Sequence, residues 1–133
     1  MLREDQITEI QQQEMNKAIE ESKTKGLELY KIRHTDDDGN TYVGIFKTPS
    51  TPDGKKYKDL TEEWYVNKQL PKKSRKIIDL DTAAKDFCMK NIIYPSSNVF
   101  DELTKRFIGF VRPTATELLG FLKFGVETDS QKL

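Results

Sequence analysis

Six of the chain's seven phenylalanines, Phe87, Phe100, Phe107, Phe110, Phe121 and Phe124, fall within one stretch, Asp79–Val126. This concentration constrains the fold more than any other feature. Apolar side chains leave water by packing on one another, so the largest ones mark where a core forms. Within the stretch the apolar residues recur every three to four positions, the period of a helix face. Asp79 or Asp81 can cap a helix whose inward side is Ala83, Ala84, Phe87, Cys88 and Ile92. Ile92-Ile93-Tyr94-Pro95 closes it, because a proline pushes the residue before it into extended conformation. Ser96 or Ser97 can start the next helix, Asn98–Phe110, with Val99, Phe100, Leu103, Phe107 and Phe110 on one side. Pro113 interrupts. Thr114 or Thr116 can begin a last helix with Leu118, Leu119, Phe121 and Leu122 inward and Gly125 as its stop.

The half before it is thinner. Asp5–Lys25 reads as a charged leader helix, started by Asp5 or Thr8 and ended by Gly26. Its apolar stripe, Ile7, Ile10, Met15, Ala18 and Ile19, is narrow, so it is expected to dock loosely or fray. Leu27–Lys47 reads as a β-hairpin. Tyr42, Gly44 and Phe46 alternate with Val43 and Ile45, and Asp36-Asp37-Asp38-Gly39-Asn40 supplies the turn. A lone hairpin is marginal in water, so it must lie on the helices or join a sheet from another subunit. Thr48-Pro49-Ser50-Thr51-Pro52 is expected to be extended. Asp59–Gln69 is expected to be a short helix capped by Thr61, with Leu60, Trp64 and Tyr65 inward and Pro71 beyond its end. The expected fold class is therefore α+β: an N-terminal helix over residues 1–26, then a hairpin and three to four short helices over 27–126. Residues 127–133 are expected to be a disordered tail.

Composition narrows the function classes. The 133 residues carry 22 basic and 22 acidic side chains, so no net field draws in nucleic acid or an anionic membrane. One cysteine, Cys88, excludes an internal disulfide and a multi-cysteine zinc site, and fits a reducing, cytoplasmic setting. The N-terminus lacks the basic start and apolar run of a signal peptide. No apolar run reaches the ~18 residues of a membrane helix.

No catalytic motif stands out, and neither an enzyme nor a cofactor is expected. His34, the single histidine, sits on a strand beside a turn without a nucleophile motif. Taking Gly39 as the sixth position of a calcium loop puts His34 first and Ile45 twelfth, and neither suits a ligand role. Cys88 lies on an inward helix face with no basic partner nearby. Asp79 and Asp81 are explained as helix N-terminal residues, which leaves Asp86 without a carboxylate partner. Gly54-Lys55-Lys56 lacks the earlier glycine and the following Ser/Thr of a phosphate loop. One basic-aromatic stretch remains. Trp64, Tyr65, Lys68, Lys72, Lys73, Arg75 and Lys76 lie in a run without an acid from Trp64 to Ile78. Such a run serves as a solvated linker or as a phosphate-binding patch.

The hairpin exit Ile45-Phe46-Lys47-Thr48-Pro49, the aspartate-led helix opening before Phe87, the Ile92-Ile93-Tyr94-Pro95 step and the final amphipathic helix together resemble small phage proteins of the tail-assembly-chaperone kind. The likeness spans about Tyr30–Gly125. It implies a cytoplasmic, oligomeric accessory protein without an active site. Such a protein binds a tape-measure or tube protein before the tail polymerises. Tyr42, Phe46, Phe107, Phe110, Phe121 and Phe124 are the expected contact residues, since the aromatic content exceeds what a small core needs. Two other readings stay open: a regulator that inhibits a host protein, and a nucleic-acid-binding module using Lys68, Lys72, Lys73, Arg75 and Lys76.

Overall fold

The structure, a computed structural model, describes residues 1–122. It is α+β, with a small antiparallel sheet between one N-terminal helix and a group of four others. In chain order the elements are β1 (Leu2–Arg3), α1 (Glu9–Thr24), β2 (Leu29–Thr35), β3 (Thr41–Lys47), α2 (Thr51–Gln69), α3 (Leu80–Asn91), β4 (Ile92–Tyr94), α4 (Ser97–Arg106) and α5 (Val111–Gly120).

The expected hairpin is present. β2 and β3 pair from Leu29↔Lys47 to Thr35↔Thr41. The Asp36 carboxylate accepts from the backbone N–H of Asp38 (3.0 Å) and Asn40 (2.9 Å), and Gly39 takes φ +82°. An aspartate that bonds the backbone ahead of it and a glycine in left-handed conformation are what close such a turn. The sheet is completed within the chain. β1 pairs with Tyr42 and Val43, and β4 pairs with Ile45 and Phe46, both along the β3 edge opposite β2. A strand as short as β1 has no periodicity to reveal it.

Strand alternation sends β3 side chains both ways, and both directions are buried. Tyr42 and Phe46, with Ile32 of β2, enter the main core of Tyr57, Phe87, Phe100, Phe110, Val111 and Leu118. Val43 and Ile45 meet Met15 of α1, flanked by Ile7, Ile19, Leu29, Ile93 and Tyr94. The expected loose leader is thus a packed layer of the same unit. Its stripe is narrower than the sequence suggested, since Ile10 is exposed. Thr8 rather than Asp5 caps α1. Its Oγ1 accepts from Gln11 N–H (3.1 Å), and Gln11 Oε1 accepts from Thr8 N–H (2.9 Å). This reciprocal arrangement satisfies two N–H groups that the helix start leaves open.

Two helix boundaries differ from expectation. α2 begins at Thr51, not Asp59, capped by Ser50, whose Oγ accepts from Asp53 N–H at 3.3 Å. Pro52 lies in the first turn, where its missing N–H has no intrahelical partner to lose. Thr61 lies inside α2 and donates to Lys58 O. The single helix expected over Asn98–Phe110 ends at Arg106, with a 3-10 turn at Ile108–Phe110 before α5. Pro113 explains the break. A continuous helix would drive its ring into the Gly109 carbonyl four residues back, whereas in the first turn of a new helix it is harmless. Thr114, expected near the helix start, is buried within α5 and donates to Phe110 O. α3 starts on its expected cap, with Asp79 accepting from Thr82 N–H at 3.0 Å. Phe124, Gly125 and the expected tail lie outside the described residues.

Gly44 sits where β3 passes beneath Met1. A Cβ there would lie 2.9 Å from the Phe46 ring and 3.1 Å from Met1 Cγ. Phe46 is wholly buried and cannot swing aside. Gly44→Ala is expected to destabilise the fold by about 1–3 kcal/mol through overpacking, read as a lower urea midpoint. An unchanged midpoint would show that the β1–β3 packing is not as close as described.

Candidate interaction surface

The side chains weighed above for chemistry, Cys88, His34, Asp79 and Asp81, have structural partners. Cys88 is fully buried, its Sγ is 3.6 Å from Val111 O, and burial pushes the thiol pKa up to about 12. A thiol held protonated among apolar neighbours is a poor nucleophile. His34 Nε2 lies 3.0 Å from Thr114 Oγ1. That hydroxyl donates its hydrogen to Phe110 O (2.6 Å), so it accepts from His34, which places a ring proton on Nε2. Burial lowers the His34 pKa, against a smaller opposing pull from Glu117. Asp79 is a helix cap, and its bonds to Thr82 hold its pKa below the usual carboxylate value. Asp81 pairs with Arg112 at 2.7 Å. Among the described residues no group of three His, Cys, Asp or Glu could hold a metal, and no helix is long and apolar enough to cross a membrane.

Among the described residues, the aromatic side chains expected to form a contact surface do not share one exposed face. Tyr42, Phe46 and Phe110 are core residues, Phe46 with no exposed surface at all. They had to be, because β3 alternation and the 3-10 turn aim them between the sheet and α3–α5. Phe121 is half-buried and stacks on Tyr30, centroids 3.6 Å apart and planes 10° from parallel. Of the six residues, only Phe107 is markedly exposed among the described residues, at 39%, beside Ile108 at 64%. A groove of about 460 Å³ between α2 and α3 has an apolar floor of Tyr57, Leu60 and Phe87. Its charged lining is balanced: Asp53 and Asp86 against Lys56 and Lys90.

The basic stretch is the feature the structure changes most. It is a folded surface, not a free linker. The Asn67 amide grips Lys76 from both sides, accepting from its N–H and donating to its carbonyl, each at 2.8 Å. Arg75 Nε donates to Leu70 O (2.8 Å), and Lys72–Ser74 forms a 3-10 turn. The end of α2 is moored by Trp64, which packs against the main core. Lys68 Nζ lies 4.4 Å from the Trp64 ring centroid and the Arg112 guanidinium 4.8 Å from it. Cations over an indole face are attracted by its quadrupole.

On this scaffold Tyr65 (63%), Val66 (62%), Leu70 and a fully exposed Ile77 stand out among Lys68, Lys72, Lys73, Arg75 and Lys76. The apolar members, Val66, Leu70 and Ile77, were missed in the sequence reading. Part of the signal was there. Leu60 and Trp64 define the inward stripe of α2, and Tyr65 and Val66 sit one and two residues beyond Trp64, about 100° and 200° around the helix. Nothing in the local pattern marks Ile77 as exposed, or Asn67 as the latch.

No protein-family model matches the chain, and comparison with curated proteins and with solved structures returns no match.

If Asn67 fixes the connector, Asn67→Ala removes two hydrogen bonds, each worth about 0.5–1.5 kcal/mol. The Lys76 amide is then expected to exchange with solvent roughly tenfold faster or more while β3 amides keep their protection. Unchanged Lys76 exchange would mean the connector is held by something else.

Proposed function

We propose that the chain is a non-catalytic protein-binding factor. Its working face is the outer side of the α2 C-terminal half with the folded Lys72–Ile77 connector. The observation that carries this reading is the folded stretch from Trp64 to Ile78, which carries five cations and no acid and in which Tyr65, Val66, Leu70 and Ile77 are exposed. Desolvating Val66, Leu70 and Ile77 rewards contact, and surrounding cations select a partner segment that is both apolar and acidic. Nucleic acid is the poorer fit. Single strands bind on open aromatic planes. Here Trp64 is engaged by Lys68 and Arg112, Tyr65 meets the Trp64 ring edge-on with centroids 5.1 Å apart, and the other exposed apolar groups of the stretch are aliphatic.

The resemblance to tail-assembly chaperones makes a phage tape-measure or tube protein the first partner to try. On this reading the protein acts in the cytoplasm of the infected cell, before assembly, and leaves no part of itself in the product. The aromatic core residues have no part in recognition.

The test is binding of the purified protein to purified tape-measure and tube proteins, with wild type set against Lys72→Glu/Lys73→Glu/Arg75→Glu/Lys76→Glu. A complex whose affinity drops at least about tenfold on charge reversal is expected, as for loss of steering and paired charges. Binding untouched by the reversal would remove this face from the account. Failure to bind these proteins, with salt-sensitive binding to single-stranded DNA instead, would replace protein recognition by phosphate recognition.

A further inference from the structure

β2 is paired on one side only. β1 and β4 both lie along the opposite edge of β3, so among the described residues no strand runs along the outer side of β2. The hairpin register fixes which of its backbone groups are left open. Thr48 N–H donates to Glu28 O (3.0 Å) and Asp36 N–H to Asn40 O (2.9 Å), so the even-numbered residues of 28–36 bond to β3. The N–H and C=O groups of Leu29, Lys31, Arg33 and Thr35 therefore point away from the sheet. A row of open backbone groups is a template for one more strand.

The edge borders a trough of about 350 Å³, lined by residues 30–34 of β2, by Glu117 of α5 and by Phe121 just beyond it. α5 runs beside β2 in the opposite direction, since Thr114 meets His34 (3.0 Å) and Phe121 stacks on Tyr30. Glu117 lies between these two contacts and so stands level with Ile32.

Charge sorts the two faces that an added strand would have. Alternation sends Lys31 and Arg33 to the α1 side, opposite Ile45 and Val43, and Tyr30, Ile32 and His34 to the α5 side. Lys31 and Glu117 are exposed, and neither has an ion pair among the described residues. Arg33 holds Glu4 through Nε (2.7 Å) and Nη2 (2.8 Å), which leaves Nη1 to donate elsewhere. His34 does not neutralise Glu117 near neutral pH, because burial lowers its pKa. A second copy of β2 fits this edge badly. About a two-fold axis Lys31 of each copy would lie opposite Arg33 of the other, and like charges directly opposite are destabilising.

We propose that the open edge of β2 is a strand-addition site for an extended segment of another protein, with two acidic residues flanking a single cation. The added strand exchanges main-chain hydrogen bonds with Lys31 and Arg33 and sets its acids beside their side chains. Its cation lies in the trough against Glu117. Main-chain bonds hold the segment, and the alternating charges select it. The site is separate from the α2 face and stands or falls without it.

Amide exchange of the full wild-type chain tests it, with acetylated and amidated Thr-Val-Glu-Lys-Glu-Val-Thr at millimolar concentration as the probe. In the free protein the Tyr30, Ile32 and His34 amides are expected to be protected and those of Lys31 and Arg33 open. With the peptide, the Lys31 and Arg33 amides are expected to exchange at least about tenfold more slowly. The same peptide N-methylated at both glutamates lacks the donors that reach the edge. Thr-Val-Lys-Glu-Lys-Val-Thr keeps the backbone and reverses every charge. Neither is expected to protect. Lys31 and Arg33 amides already protected in the free chain would mean that the protein itself or a second copy covers the edge. That result, no protection by the first peptide, or equal protection by either control would overturn the proposal.

Discussion

β3 is the strand on which the rest of the structure depends. It is hydrogen-bonded along both edges and covered on both faces. Phe46 and Val43, on opposite faces, have no exposed surface. Full burial of a side chain of this kind contributes about 1.5–3 kcal/mol. Here two such contributions come from one short strand and point in opposite directions, joining α1 to the helical half through the thickness of the sheet. The arrangement also sets tight limits. Gly44 must lack a side chain where Met1 and the Phe46 ring close over it, and the β3–β4 ladder shifts register between Ile45 and Phe46.

The helical aromatics gather on one side of this strand: Tyr57, Phe87, Phe100 and Phe110 pack with Tyr42 and Phe46, whereas the opposite layer is aliphatic, built on Met15, Val43 and Ile45. Tyr57 stacks on Phe87, centroids 4.9 Å apart, and Phe100 meets Phe46 edge-on at 6.3 Å. Of the apolar side chains that stay outside, Tyr65, Val66, Leu70 and Ile77 lie on α2 and its connector. There Asn67 and Trp64 fix side chains that a free linker would leave disordered. The binding reading rests on that fixed, basic stretch.

Much of this was legible in the amino-acid sequence, for physical reasons that can be named. The hairpin was visible because strict alternation and an Asp-rich turn with glycine have few other meanings. The α3 cap was visible because Asp79 stands just ahead of an apolar period. The α2 start was hidden because Pro49, Pro52 and Gly54 look like a breaker cluster, although a proline in the first turn behind a Ser50 cap is compatible with a helix. Pro113 does interrupt, as its ring requires, but the break falls earlier than the sequence suggested: α4 ends at Arg106 and Pro113 lies in the first turn of α5. β1 has two residues and no pattern. The candidate face was legible in its charges and not in its apolar members. Whether Leu70 and Ile77 are buried is decided by where the chain turns back, and that depends on one asparagine side chain.

The most direct test of the claim that β3 binds two layers into one unit is native-state hydrogen exchange across a denaturant series. The account predicts that amides of α1 around Met15, of β3 at Val43 and Ile45, and of α3 around Cys88 share one opening free energy, equal to that of global unfolding. Free exchange of the α1 amides while β3 and α3 stay protected would contradict it, and would make the N-terminal helix an appendage instead of a layer.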